Sequence, residues 1–177
     1  MASTVLDTMQ DTTRRLRHVD GSAFRHAMRS LASGVAIIAS GEGEGRVGAT
    51  VSSLASLSLT PPTLIVSLSR SSSTLAGLRQ NGAFSANVLA ARHEHLADRF
   101  SGRGGLQGVK RFEDMHWTRG ATGSPLLVDA LVAFDCRLEE IVERHSHALV
   151  LGSVVATAEG PDEPALIHWR GAFGPPK

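Results

Sequence analysis

Apolar and polar positions alternate along this chain in short segments. Phe24, Ala27, Met28 and Leu31 recur at i, i+3, i+4 and i+7. That spacing predicts a helix from Asp20, capped by Asp20 or Ser22 and ended by Gly34. Val35–Ala39 then reads as a strand, Gly41–Gly45 as a flexible turn, and Arg46–Ser52 as the returning partner strand. Thr60-Pro-Pro62 forbids a helix. Thr63–Ser69 is a strand, and Thr74–Arg79 a short helix stopped by Asn81-Gly82. Ala83–Leu89 alternates as a strand. His93–Phe100 is a second short helix with Leu96 and Phe100 on one face.

Beyond it, Ser101–Gly108 is a glycine-rich loop, with Lys110 and Arg111 beside it as solvated charges. Phe112–Trp117 is extended or irregular. Pro125–Leu127 leads into a long strand, Ala130–Val142, with partial alternation at Leu131, Ala133, Asp135 and Leu138. His147–Ala158 is its antiparallel partner, Ala165–Trp169 a last strand, and Gly174–Lys177 a tail. Strands joined by short turns, without regular crossover helices, predict a mainly β fold: an antiparallel barrel or sandwich with helices at its ends. The polar residues 1–19 read as a loosely ordered tail, and 20–177 as one domain.

Composition narrows the function. A chain of 177 residues is long enough for one substantial core. Its net charge of +1 and lack of Tyr give no case for nucleic acid or an anionic membrane as partner. Cys136 is the single cysteine, so an internal disulfide and a cysteine-based zinc site are excluded. Its apolar surroundings suggest a small buried side chain. No apolar run has the length of a membrane span, and the N-terminus lacks the apolar core of a signal peptide. The expectation is a cytoplasmic protein.

Candidate chemistry gathers between Gly48 and Thr74. Two hydroxyl-rich clusters lie there, Thr50-Val-Ser-Ser53 and Ser67-Leu-Ser-Arg-Ser-Ser-Ser-Thr74. No Asp or Glu stands between Glu44 and Glu94, while Arg46, Arg70, Arg79 and Arg92 do. Hydroxyls, backbone N–H groups and Arg together suit an anion on a polar small molecule. The same serines also suit a loop that caps a helix after Ser73, and a helix N-terminus is itself an anion site. Gly43-Glu-Gly-Arg-Val-Gly48 matches a dinucleotide fingerprint in spacing only. A β-branched run follows it instead of a helix, and no acid stands about 20 residues later, so that reading is rejected.

Asn87 lies inside a strand, where its amide makes a strand-end hydrogen bond or meets a ligand. His93 and His95, two apart on a helix, do not share a face. His145 and His147, two apart on a strand, do. Two ligands without a third make no zinc site, so no metal is expected. His147 is either an exposed residue at a strand start or a donor facing a cofactor pocket. Glu139 and Glu140 point to opposite strand faces, and no G-x-S-x-G elbow is present. No catalytic side chain emerges, a profile that suits chemistry carried by bound cofactors.

Several motifs in this order resemble the short-chain flavin reductase family. They are Phe24-x3-Met28-x2-Leu31-x2-Gly34-Val35, Gly48-x-Thr-Val-Ser-Ser53, Pro61-Pro62, the Ser67–Thr74 run, Phe84-x2-Asn-Val-Leu89, Ser146-His147 ahead of Gly152, and Arg170-Gly171. The resemblance covers residues 22–173. It implies an FMN-binding split β-barrel, a homodimer, and reduction of FMN or FAD by NADH or NADPH. Reduced flavin would pass to a flavin-dependent monooxygenase as the oxygenase component. The alternative with the same fold is a non-catalytic flavin carrier or redox sensor. By the same resemblance, Thr50, Val51, Ser52 and Ser53 line the flavin ring and ribityl chain. Ser67, Ser69, Arg70, Ser73 and Thr74 hold the phosphate, Asn87 contacts the flavin, and His147 sits at the nicotinamide. The pattern departs at the C-terminus, where His168 and Trp169 precede Arg170-Gly171 in place of the aromatic, often Tyr, of several relatives.

Overall fold

The computed structural model describes residues 18–103 and 105–176. The chain forms two compact units, one ending at Leu31 and one beginning at Ala32. Positions 1–17 of the expected tail lie outside the described residues.

The first unit holds α1, Gly21–Met28. Asp20 caps it, its Oδ1 accepting the Ser22 N–H at 3.0 Å, as expected of a short carboxylate at this position. The helix stops at Met28, earlier than the sequence suggests. The Ser30 and Leu31 amides turn back to Ala27 and Met28, tightening the last turn to i→i−3 bonds. Leu31 therefore lies beyond the helix, and Gly34 is a strand residue instead of the helix stop.

The second unit runs β1 (Ser33–Gly34), β2 (Ala36–Ser40), β3 (Val47–Val51), β4 (Ala55–Leu59), β5 (Pro62–Ser69), α2 (Ser73–Asn81) and β6 (Ala83–Val88). It continues through α3 (Glu94–Ser101), β7 (Trp117–Arg119), β8 (Pro125–Leu127), β9 (Val132–Arg144), β10 (His147–Glu159), β11 (Ile167–Trp169) and β12 (Ala172–Gly174). The β2–β3 hairpin and the β9–β10 pair follow the sequence reading. Five strands do not. β1, β4 and β7 were unforeseen, β12 replaces part of the expected tail, and β8 pairs with β7 instead of merging into the long strand.

The main sheet has seven strands in the order β3-β2-β6-β9-β10-β5-β4, and its pairings are antiparallel. Strands β3 and β4 are neighbours in sequence but occupy opposite edges. Laid flat, such a sheet would set its edges about 29 Å apart. The connector from Val51 to Ala55 reaches at most about 14 Å. The sheet must therefore roll until its edges approach, which is the closure of a split barrel.

Two apolar clusters fill the fold. Ile38, Val66, Leu68, Leu75, Leu78, Phe84, Cys136 and Val150 form one. Val35, Ile37, Leu89, Leu96, Phe100, Phe112, Leu127 and Leu166 form the other. Strand β2 contributes Ile38 to the first and Ile37 to the second, and all its residues are buried. That explains its unbroken apolar run where a half-buried strand would alternate. A Cβ on Gly152 would lie 2.5 Å from the Phe84 ring, so only glycine lets β10 pass that close. Arg111 is no solvated charge: it donates to Leu106 O, Gly48 O and Phe100 O at 2.7, 3.1 and 3.3 Å. Those bonds pin the loop against β3 and α3.

Candidate functional site

Barrel closure brings the two hydroxyl clusters face to face. Residues 49–53, from β3 and its connector, and Ser67, Leu68 and Ser69 of β5 line a cleft of about 400 Å³, with Ser72 and His147. No carboxylate is among the described residues that line it. β4 pairs with β5 no further than Ala55 opposite Ile65. Beyond that point the Ser53 side chain takes the place of a strand. Its Oγ donates to Ser67 O at 3.0 Å and accepts the Ser67 N–H at 3.2 Å.

The expected site residues divide on inspection. Thr50 lines the cleft, but its hydroxyl is spent on Ala97 O at 2.7 Å, tying β3 to α3. Val51 is 8% exposed and packs its side chain into the core, so only its backbone faces the cleft. Ser52 is exposed there. Ser69 Oγ lies 3.0 Å from Ser71 Oγ. His147 stands opposite Ser69 in the β10–β5 register, and its Nδ1 lies 2.9 Å from Ser146 Oγ. That contact orients the ring at the mouth of the cleft.

Four expectations need correction. Asn87 is wholly buried: Nδ2 donates to Ile37 O and Ser85 Oγ at 3.1 and 2.9 Å, and Oδ1 accepts the Leu127 N–H at 2.8 Å. It ties three elements together in the core, spends both its donors there, and does not line the cleft. Thr74 is 1% exposed, and its N–H is taken by the Ser72 hydroxyl at 3.1 Å. It is buried inside the first turn of α2 and does not line the cleft. Ser73 is exposed in that turn, beside the cleft lining. His145 lies in the β9–β10 turn with φ 51°, so it shares no strand face with His147. Finally, the carboxylate-free block is not carboxylate-free in space. Glu143 of β9 meets Arg70 Nη2 at 2.8 Å and also pairs with Arg79. Arg70 Nη1 donates to His145 O at 3.1 Å, which holds that guanidinium on the β9–β10 turn. The hydrogen bond from Arg79, with the charge of Arg70 added, keeps the Glu143 carboxyl below the usual carboxylate range.

Ser72 and Glu143 are the residues sequence reasoning missed. Ser72 carried a signal, since serine one position before a helix is a preferred cap. Its backbone is extended, as that role requires. Glu143 carried none, because nothing local couples it to Arg79, 64 positions earlier, or to Arg70 before that.

Outside the cleft, His93 is buried, with Nδ1 accepting the Ala90 N–H at 3.3 Å and Nε2 3.3 Å from Asp129. Burial and then the Arg92 charge push its pKa down. Burial, with Asp135 alongside, pushes the Cys136 thiol up to about 12, which makes it inert.

An antiparallel barrel whose closing edges frame a hydroxyl-lined cleft defines a small-ligand-binding protein. The flavin reductase like domain matches residues 28–177, and the chain belongs to that family. It is similar to the FMN reductase (NADH) RutF of Ancylobacter novellus, 37% identical over 167 residues that cover 94% of this chain and 91% of that protein. It is 43% identical over 153 residues to an FMN reductase (NADH) RutF 1 of Methylorubrum extorquens, covering 85% of this chain and 74% of that one. Among solved structures, it resembles BorF, the flavin reductase component of a bacterial two-component tryptophan halogenase. The TM-score is 0.81 at 30% identity, covering 89% of this chain and 99% of that one. The flavin reductase domain protein of an Arthrobacter species superposes with a TM-score of 0.79 at 29% identity, covering 88% and 95%.

Proposed function

We propose that this chain is an NADH- or NADPH-dependent reductase of FMN or FAD that supplies reduced flavin to a partner monooxygenase. The observation that carries this reading is the single cleft in which both hydroxyl clusters and His147 meet. The donor set suits a flavin. Hydroxyls and backbone groups run along an open groove, and the first turn of α2 adjoins it at Ser72 as a seat for a phosphate. The volume is that of an ordinary ligand pocket.

The bound cofactors supply the hydride donor and acceptor, so the protein needs no base of its own. Its residues bind and align. Thr50–Ser53 line the ring and ribityl chain, Val51 through its backbone. Ser67, Ser69, Ser72, Ser73 and Arg70 surround the phosphate. His147, oriented by Ser146, meets the nicotinamide. Holding two cofactors in register can supply much of the rate. The protein works as a cytoplasmic homodimer. Leu57 and Leu59, 50% and 84% exposed on edge strand β4, offer an apolar edge to a second copy.

The test is oxidation of NADH or NADPH in air with added FMN or FAD. Oxidation that requires flavin and saturates with it supports the reductase. Measurable flavin binding without oxidation for any pair replaces it with a carrier or sensor.

A further inference from the structure

Arg70 is the one cation placed in the proposed phosphate site, yet it does not line the cleft. Its guanidinium is divided between Glu143 Oε2 at 2.8 Å and His145 O at 3.1 Å. Glu143 in turn shares its two oxygens between Arg70 and Arg79. The three side chains carry a net charge of one positive unit. Without Glu143 they would carry two.

We propose that Glu143 competes with the flavin phosphate for Arg70, and so holds the affinity for phosphate-bearing flavin low enough for the product to leave. The inference rests on the flavin reading above and names the residue that tunes release at that site. A phosphate approaching Ser69 and Ser72 meets a guanidinium already paired. To engage Arg70, it must share the guanidinium with a carboxylate that Arg79 also holds in place. A fixed negative charge beside the seat also repels the dianion directly. Both effects vanish for riboflavin, which has no phosphate. All three side chains are 38–50% exposed, so solvent screens the competition and its size is modest. A reductase that hands its product to another enzyme gains from that weakness, because a tightly held flavin would turn over once per slow dissociation.

The experiment is equilibrium binding of FMN and of riboflavin to wild type and Glu143→Gln, at low and at high salt. The glutamine keeps the shape and removes the charge. At low salt, FMN binds about threefold more tightly to the variant. The gap shrinks at high salt, and riboflavin binds both proteins equally. In an Arg70→Ala background the substitution loses most of its effect on FMN. Unchanged or weaker FMN binding to Glu143→Gln overturns the proposal; weaker binding would mean that Glu143 orients Arg70 toward the phosphate. An equal gain for riboflavin also overturns it. If wild type binds neither flavin, the flavin reading itself fails and this inference with it. Thermal melts of both proteins exclude a folding defect as the cause.

Discussion

The hydroxyl of Ser53 occupies both backbone groups of Ser67, donating to its carbonyl and accepting its N–H across 14 residues of sequence. One side chain thus adds a rung to β5 where β4 has ended. Ser53→Ala removes the rung and leaves those groups to water. The loss is about 1 kcal/mol, or a melting temperature lower by about 2–4 °C. The cleft is also loosened between its two walls, so FMN binding weakens in the same variant. Calorimetry and a flavin titration check both parts.

Asn87→Ala strands the Leu127 N–H in the core, while the Ile37 carbonyl keeps its place in the β2–β6 ladder. One unsatisfied buried group costs about 1–3 kcal/mol. The variant melts well below wild type, and the part that remains folded binds FMN with wild-type affinity. An affinity loss without a stability loss would restore the flavin contact that the sequence suggested.

His147→Ala leaves a cleft that binds flavin but has lost its donor at the mouth. The KM for the nicotinamide rises up to about tenfold, the worth of one good hydrogen bond. The flavin Kd stays within a factor of two, roughly the noise of one surface substitution. Steady-state kinetics at saturating flavin separate the two. An unaltered nicotinamide KM would move the donor site elsewhere.

His93 makes the fold acid-sensitive. Burial, then the Arg92 charge, lowers its pKa in the folded protein, while the unfolded chain keeps the ordinary value near 6.5. Below that value the unfolded state binds the extra proton, so stability falls as the pH falls. The loss begins near pH 6.5 and comes before the loss from Asp129, whose carboxyl Arg92 and His93 hold below its ordinary 3.8 against the opposing effect of burial. Urea unfolding should show lower stability at pH 5.5 than at pH 7.5 in wild type, and a smaller drop in His93→Gln.

What the sequence made legible was local. The β2–β3 hairpin, the end of α2 at Asn81-Gly82 and the long β9–β10 pair announced themselves through period and turn residues. Gly82 does adopt the left-handed cap conformation. Both hydroxyl clusters were visible because each is contiguous. What stayed hidden needed a partner far along the chain. The β4 segment, Ala55-Ser-Leu-Ser-Leu59, is exposed along most of its length, so no buried face marked it as a strand. Glu143 reaches Arg70 and Arg79 only through the fold, which defeats any reading of charge by windows of sequence. Asn87 could be flagged as a polar group inside a strand. Only the positions of Ile37 and Leu127 decide that it is structural.

The short link from β3 to β4 has a last consequence, for the order of events when the chain is made. The hydroxyl clusters are all synthesised within the first half of the chain, but no unbroken run of strand pairing joins β3 to β5 until β9 and β10 have filled the gap between β6 and β5, and before then only the Ser53–Ser67 bonds span the two walls. A nascent chain lacking those strands would carry the ligand's contacts without a cleft to hold them. Ligand binding is therefore a late event in maturation, and a ligand that bridges Ser52 and Ser69 acts as a clasp on the finished barrel. It protects from unfolding the hairpin that arrived last, though it need not touch most of it.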